Sequence, residues 1–222
     1  MTDDAFEVEE EFLLIGRTYA EYAAMFGLDS PAGPVLDCGS GVGSFVAEAR
    51  ECGVAAVGAD PAYTADRATL RERAADARAR NTEQLREKRD AFVWDFYGDP
   101  ATRADYLRRA NERFLADYPA GPYVAAGLPA LPFRDGAFGL ALSANLLFLY
   151  DDRLSLEFHV DALSELARVA DEARVFPLAS LDRTRSEYVE PCLARLRERG
   201  HDPALREVDY EFQPGATTTL VV

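Results

Sequence analysis

The residues of this chain best placed to do chemistry are two aspartates around a run of glycines. In VLDCGSGVGS, Val35–Ser44, an apolar run ends in an acid, Asp37, followed by Gly39, Gly41 and Gly43. Glycines at alternate positions let a chain turn sharply out of a strand and leave no Cβ between backbone and ligand. A helix that begins there directs free N–H groups and the positive end of its dipole at the same place. Many nucleotide binders share this much, and two details separate them. The dinucleotide fingerprint wants a third small residue at 44, but here the glycine comes at 43 and position 44 is Ser44. A carboxylate in front of the glycines repels a pyrophosphate and attracts an ammonium or sulfonium.

Asp60 lies 17 residues after Gly43, at the end of the next apolar run. There a carboxylate can accept hydrogen bonds from both hydroxyls of a ribose. A nucleoside with a cationic tail is therefore expected, and S-adenosylmethionine is such a compound.

On these residues the chain resembles the class I S-adenosylmethionine-dependent methyltransferases, especially the small-molecule branch that includes quinone-biosynthesis enzymes. VLDCGSGVGSFVAEARECGVAAVGADP is similar to their first two cofactor motifs. GLPALPFRDGAFGLALSANLLFLYDD is similar to the adenine-side segment and fourth strand, and ALSELARVADEARVFPL to the next helix and fifth strand. The resemblance implies that Asp37 holds the methionyl ammonium, directly or through water. Ser40 belongs to the same loop, and Gly39, Gly41 and Gly43 let the cofactor lie on the backbone. It further implies Asp60 on the ribose diol, Pro61, Gly127 and Leu128 around the adenine, and the Ser143 carbonyl near the ammonium. Arg17 and Tyr22 on the first helix would reach the carboxylate. Three positions depart from the family pattern. Gly127 stands where an aspartate often meets the adenine amino group, Phe138-Gly139 replaces Phe-Asp, and Asp171-Glu172 replaces a Gly-Gly turn.

Positioning these groups requires alternating strands and helices, hence an α/β fold with a mostly parallel, Rossmann-like sheet and helices on both faces. Strands are expected at Val35–Cys38, Ala55–Asp60, Tyr123–Ala126, Phe138–Leu142 and Ala173–Leu178. Leu205–Phe212 and Thr217–Val222 then form a C-terminal antiparallel hairpin, giving seven strands. Helices are expected over Glu10–Phe26, Gly43–Cys52, Asp152–Ala170 and Glu187–Arg199. Leu156, Val160, Leu163, Ala167 and Ala170 give the third of these one apolar face. About sixty residues separate Asp60 from Tyr123, where a βαβ crossover needs only about thirty. Two helices, Thr64–Asp90 and Thr102–Tyr118, flank the aromatic cluster FVWDFYGDP there. Residues 64–120 thus read as a helical insertion or lid within a single domain, 1–222.

The chain has 222 residues, a formal net charge of −15, and Lys88 as its only lysine. Such a surface disfavours nucleic acids and anionic membranes, and its acidity resembles proteins of salt-loving organisms. The alternative origin is a GC-rich genome. Residues 67–113 carry twelve basic and nine acidic side chains, a local excess that could attract an anion but reads first as a self-paired solvated helix. The acidic start lacks a signal-peptide pattern, and no apolar run reaches the ~20 residues of a membrane span. Three cysteines without a CxxC pair suggest neither a disulfide framework nor a zinc site. A cytoplasmic protein is expected.

Trp94, Phe96 and Tyr97 either wall a substrate pocket or pack the insertion's own core, and Tyr150 lies at the edge that faces the cofactor. His159 borders the apolar face of its helix and His201 follows Gly200 in a loop, so neither is assigned as a base; no catalytic residue and no metal set is identified. The reading is methyl transfer from S-adenosylmethionine to a small molecule. The alternatives are an NAD-dependent oxidoreductase, disfavoured by Asp37 and Ser44, and a catalytically inactive S-adenosylmethionine-binding or RNA-associated protein of the same fold.

Overall fold

The computed structural model describes residues 12–29 and 33–222. Strands β1 (Val35–Cys38), β2 (Ala56–Ala59), β3 (Tyr123–Val124), β4 (Leu140–Ala144), β5 (Ala173–Phe176), β6 (Ala204–Glu207) and β7 (Thr218–Val221) form one sheet. Its order is β3-β2-β1-β4-β5-β7-β6. The first five strands run parallel, and β7 lies antiparallel between β5 and β6. Around the sheet stand α1 (Tyr19–Phe26), α2 (Phe45–Glu51), α3 (Arg67–Glu87), α4 (Pro100–Asp117), α5 (Leu156–Val169) and α6 (Val189–Glu198). The expected α/β class, strand count and C-terminal antiparallel pair are all present.

Both faces of the sheet are covered, which explains why its central strands are apolar throughout rather than alternating. Val35, Leu140 and Leu142 pack with Tyr22, Phe26 and Phe45 on the side of α1 and α2. Leu36, Ala141 and Val175 face the other way, onto Leu163 and Leu166 of α5 and Leu193 of α6. Chain order reverses between β1 and β4, so a crevice opens outside their carboxyl ends, where ligands of such sheets bind. No helix among the described residues is long and apolar enough to cross a membrane.

Helices α3 and α4 both lie between β2 and β3 in chain order. Leu70, Ala74, Phe114, Leu115 and Tyr118 join Tyr63 and Val42 in a small core of their own. Asn111 Nδ2 donates to the Val42 carbonyl at 3.2 Å, which fixes α4 against the glycine loop.

Several boundaries differ from expectation, among them the start of the fifth helix at Leu156 and the end of β3 at Val124, and four have a local cause. Helix α1 begins at Tyr19 because Thr18 and Glu21 form a reciprocal cap; of the expected start, Glu10 and Glu11 lie outside the described residues. Helix α2 begins at Phe45, since residues 39–44 are used by the turn. Strand β4 begins at Leu140, and Phe138 instead makes a single bridge with Ala170. Strand β6 ends at Glu207 because the following chain leaves the ladder to meet the aromatic cluster. The Phe212 carbonyl accepts from Val93 N at 2.9 Å, and Phe212 stacks on Phe92 at 4.8 Å between centroids.

Candidate functional site

Strand β1 ends in the glycine turn, and the tip of β2 is tied to it. Gly39 and Gly41 hold φ of 76° and 54°, a left-handed region that side chains with a Cβ avoid. Asp60 stabilises the turn by accepting from Gly41 N and from Ala62 N, both at 2.8 Å. Each carboxylate oxygen thereby keeps a second lone pair, and Asp60 lines a cavity of about 680 Å³. That volume lies within the usual range for small-molecule sites. Burial raises the Asp60 carboxyl above its ordinary value, opposed by the Ala62 and Gly41 N–H groups and by the charge of Arg73.

Asp37 does not face this cavity. It is fully buried, with one oxygen accepting from Tyr22 Oη at 2.8 Å and the other from Ser40 Oγ at 2.6 Å. Burial pushes its carboxyl up to about 7, against the lowering effect of the Ser40 and Tyr22 hydroxyls. The resemblance implied Asp37 on the ammonium, directly or through water; instead both of its oxygens are taken by protein hydroxyls. Tyr22 and Ser40 line the cavity, and Asp37 orients their hydroxyls from behind.

The segment before α1 crosses the glycine turn. A Cβ on Gly16 would overlap the Val42 carbonyl and the Gly43 backbone, while one on Gly43 would sit 2.9 Å from the Arg17 carbonyl oxygen. Gly43 therefore serves the packing of this segment; it does not line the cavity, as the resemblance had implied. Ser44 N donates to the Arg17 carbonyl at 2.9 Å, and Leu13 N donates to Tyr150 Oη at 3.0 Å. Leu13, Leu14, Ile15 and Arg17 thus become part of the wall.

Most other expected residues meet at this cavity. Gly39, Gly41, Pro61, Gly127, Leu128 and Tyr150 line it together with Ser40, Tyr22, Arg17 and Asp60. Gly127 and Pro61 are close enough that a Cβ on Gly127 would lie 2.7 Å from Pro61 Cγ. Ser143 is buried within β4, its hydroxyl without a partner, and the next two residues, Ala144 and Asn145, form the wall instead. Trp94 and Tyr97 are also absent from the wall. Trp94 Nε1 donates to the Arg89 carbonyl at 2.8 Å, and the buried Tyr97 hydroxyl donates to Glu21 Oε1 at 2.6 Å. Their places at the cavity are taken by Phe92 and Phe212.

The sequence reading missed Arg73, Asn81 and Arg103 from the insertion, Asn145, and Tyr210 and Gln213 from the β6–β7 connection. Only Asn145 left a signal, as an asparagine just past a strand tip, where its φ of 55° suits that residue type. His159 is fully buried rather than at a boundary, against Phe148 and Tyr188. Burial lowers its pKa, and it does not line the cavity. No cluster of three or more His, Cys, Asp or Glu among the described residues is arranged to hold a metal.

The residues present fit an adenosyl cofactor: a carboxylate with spare lone pairs, a narrow apolar slot beside it, two buried hydroxyls and a guanidinium, all on one cavity. No protein-family model matches the chain. It is 28% identical to an uncharacterized protein of Methanocaldococcus jannaschii over 96% of both chains. Among solved structures it is similar to a TehB-like S-adenosylmethionine-dependent methyltransferase from Corynebacterium glutamicum (16% identity, TM-score 0.47, covering 91% of this chain and 86% of the other). A further similarity is to the Burkholderia thailandensis 1,6-didemethyltoxoflavin-N1-methyltransferase with bound S-adenosylhomocysteine (20% identity, TM-score 0.40, 91% and 73% covered).

Proposed function

We propose that this chain transfers a methyl group from S-adenosylmethionine to a small molecule. The observation that carries the reading is Asp60 beside the Gly39–Gly41 turn, at the carboxyl edge of the sheet where chain order reverses. The cofactor, when bound, supplies a methyl group already activated on sulfur. Asp60 accepts from the ribose hydroxyls, and Pro61, Gly127 and Leu128 enclose the adenine. Tyr22 and Ser40 receive the methionyl ammonium, with Asp37 holding both hydroxyls in place, and Arg17 pairs with the carboxylate. The protein's part in the chemistry is alignment and water exclusion by the apolar wall, effects worth roughly 7–11 kcal/mol when fully realised.

The test is transfer of labelled methyl from S-adenosylmethionine into fractionated small molecules of a cell extract. Label is expected in a small-molecule fraction, and Asp60→Ala should lower its appearance at least tenfold. Label confined to macromolecules, or undiminished in Asp60→Ala, would overturn the proposal.

A further inference from the structure

Resting on the reading just given, we propose that the methyl acceptor is a flat, largely apolar monocarboxylic acid whose carboxylate pairs with Arg103. Arg103 reaches the cavity from α4 and is only 2% exposed. Its Nη1 donates to a neutral partner, Asn81 Oδ1 on α3, at 2.6 Å, while its buried Nε has no partner. A buried guanidinium with a free N–H and no carboxylate is costly unless a ligand supplies the anion.

The neighbouring carboxylate is already engaged. Glu21 Oε2 accepts from Thr18 N and Thr18 Oγ1 at 2.8 and 2.9 Å. Its Oε1 accepts from Tyr97 Oη at 2.6 Å and lies 3.4 Å from Arg17 Nε. Two guanidiniums therefore share one acid, whose ion pair is with Arg17, and the Arg17 Nε, like that of Arg103, has no hydrogen-bond partner. Burial of Arg103 and then the charge of Arg17 work against the Arg103 cation, opposed by Tyr97, Tyr210 and Glu21, and an incoming anion would relieve the imbalance. The guanidinium carbon of Arg103 sits 4.8 Å from the centroid of the Phe212 ring. This stacking occupies its face, so a planar carboxylate would meet the guanidinium at its edge, where the Nε still lacks a partner. Leu85, Phe92, Phe176 and Phe212 give that part of the wall an apolar, largely aromatic character, which selects the body of the acid. At the ribose end of the cavity the cation that acts on Asp60 is a different one, Arg73.

The experiment is calorimetric titration of the full chain, with and without saturating S-adenosylhomocysteine, using phenylacetate, 3-phenylpropionate and indole-3-acetate, each against its primary amide. At least one acid should bind about tenfold or more tighter than its amide, the difference expected of a charge-assisted pair. Arg103→Gln should erase that preference while changing S-adenosylhomocysteine affinity less than threefold. Arg103→Lys, which keeps the charge but loses the planar stack and the paired N–H edge, should retain part of the preference, and an unchanged melting transition in it separates recognition from folding. The proposal is overturned if no acid outbinds its amide, or if the preference survives Arg103→Gln. It is equally overturned if Arg103→Gln weakens S-adenosylhomocysteine tenfold, because Arg103 then holds the cofactor's own carboxylate. Failure of S-adenosylhomocysteine to bind the wild type would strike the cofactor reading alone, since the comparison of acid with amide stands in cofactor-free protein.

Discussion

Asp37 is fully buried in the fold, and its carboxyl carries a pH signature of its own. Its position before the glycines pointed to an ammonium held directly or through water, whereas in the fold Tyr22 and Ser40 cover both oxygens. Nothing in the local sequence says that a tyrosine fifteen residues earlier will close over it. The consequence can be measured. The folded state holds the Asp37 proton up to about 7, against an ordinary value of 3.8. Between those values the folded chain binds more protons than the unfolded one, so this group lowers stability as pH rises through that window. Urea unfolding of Asp37→Asn should show a larger gain, or smaller loss, relative to wild type at pH 8 than at pH 5. An equal difference at both pH values would show that Asp37 is not buried and protonated as described.

At the scale of elements, the alternation of apolar runs made the seven-stranded, mostly parallel sheet and its C-terminal antiparallel pair legible. Residues 12–18 were not, although the Thr18-x-x-Glu21 cap that ends them is a readable helix start. Their path over the glycine turn depends on Gly16 meeting Val42 and Gly43, a contact between distant segments. The wall residues Asn81 and Arg103 were illegible for the same reason, since only the packing of α3 on α4 brings them to one cavity. Two outcomes follow for the crossing segment. Tyr150→Phe removes the acceptor for Leu13 N, a loss of about 1 kcal/mol, and should speed amide exchange at residues 13–17 by roughly fivefold while leaving β4 and β5 unchanged. Gly16→Ala should displace the same segment outright, with a clear drop in melting temperature and loss of exchange protection there. Unaltered exchange at residues 13–17 in both variants would contradict the described crossing.

For the whole molecule, the charge of −15 sets the conditions under which the fold is stable. Many exposed ion pairs are present, such as Arg108 with Asp105 and Glu112, and Arg199 with Asp161. Exposed pairs contribute only about 0–1 kcal/mol each and weaken with salt, whereas self-repulsion of the whole surface is relieved by it. Relief should prevail: the melting temperature should rise by roughly 5 °C or more between 0.1 and 2 M KCl, and a midpoint that stays level or falls would count against it.

The central claim is that one cavity, built around Asp60 and the Gly39–Gly41 turn, receives an adenosyl cofactor. Calorimetric titration of the wild type and Asp60→Ala with S-adenosylhomocysteine at high salt tests it most directly. The account predicts saturable one-to-one binding to the wild type and a loss of at least about tenfold in Asp60→Ala, as expected for bonds to a charged acceptor. No binding to the wild type, or equal affinity in the two proteins, would contradict it.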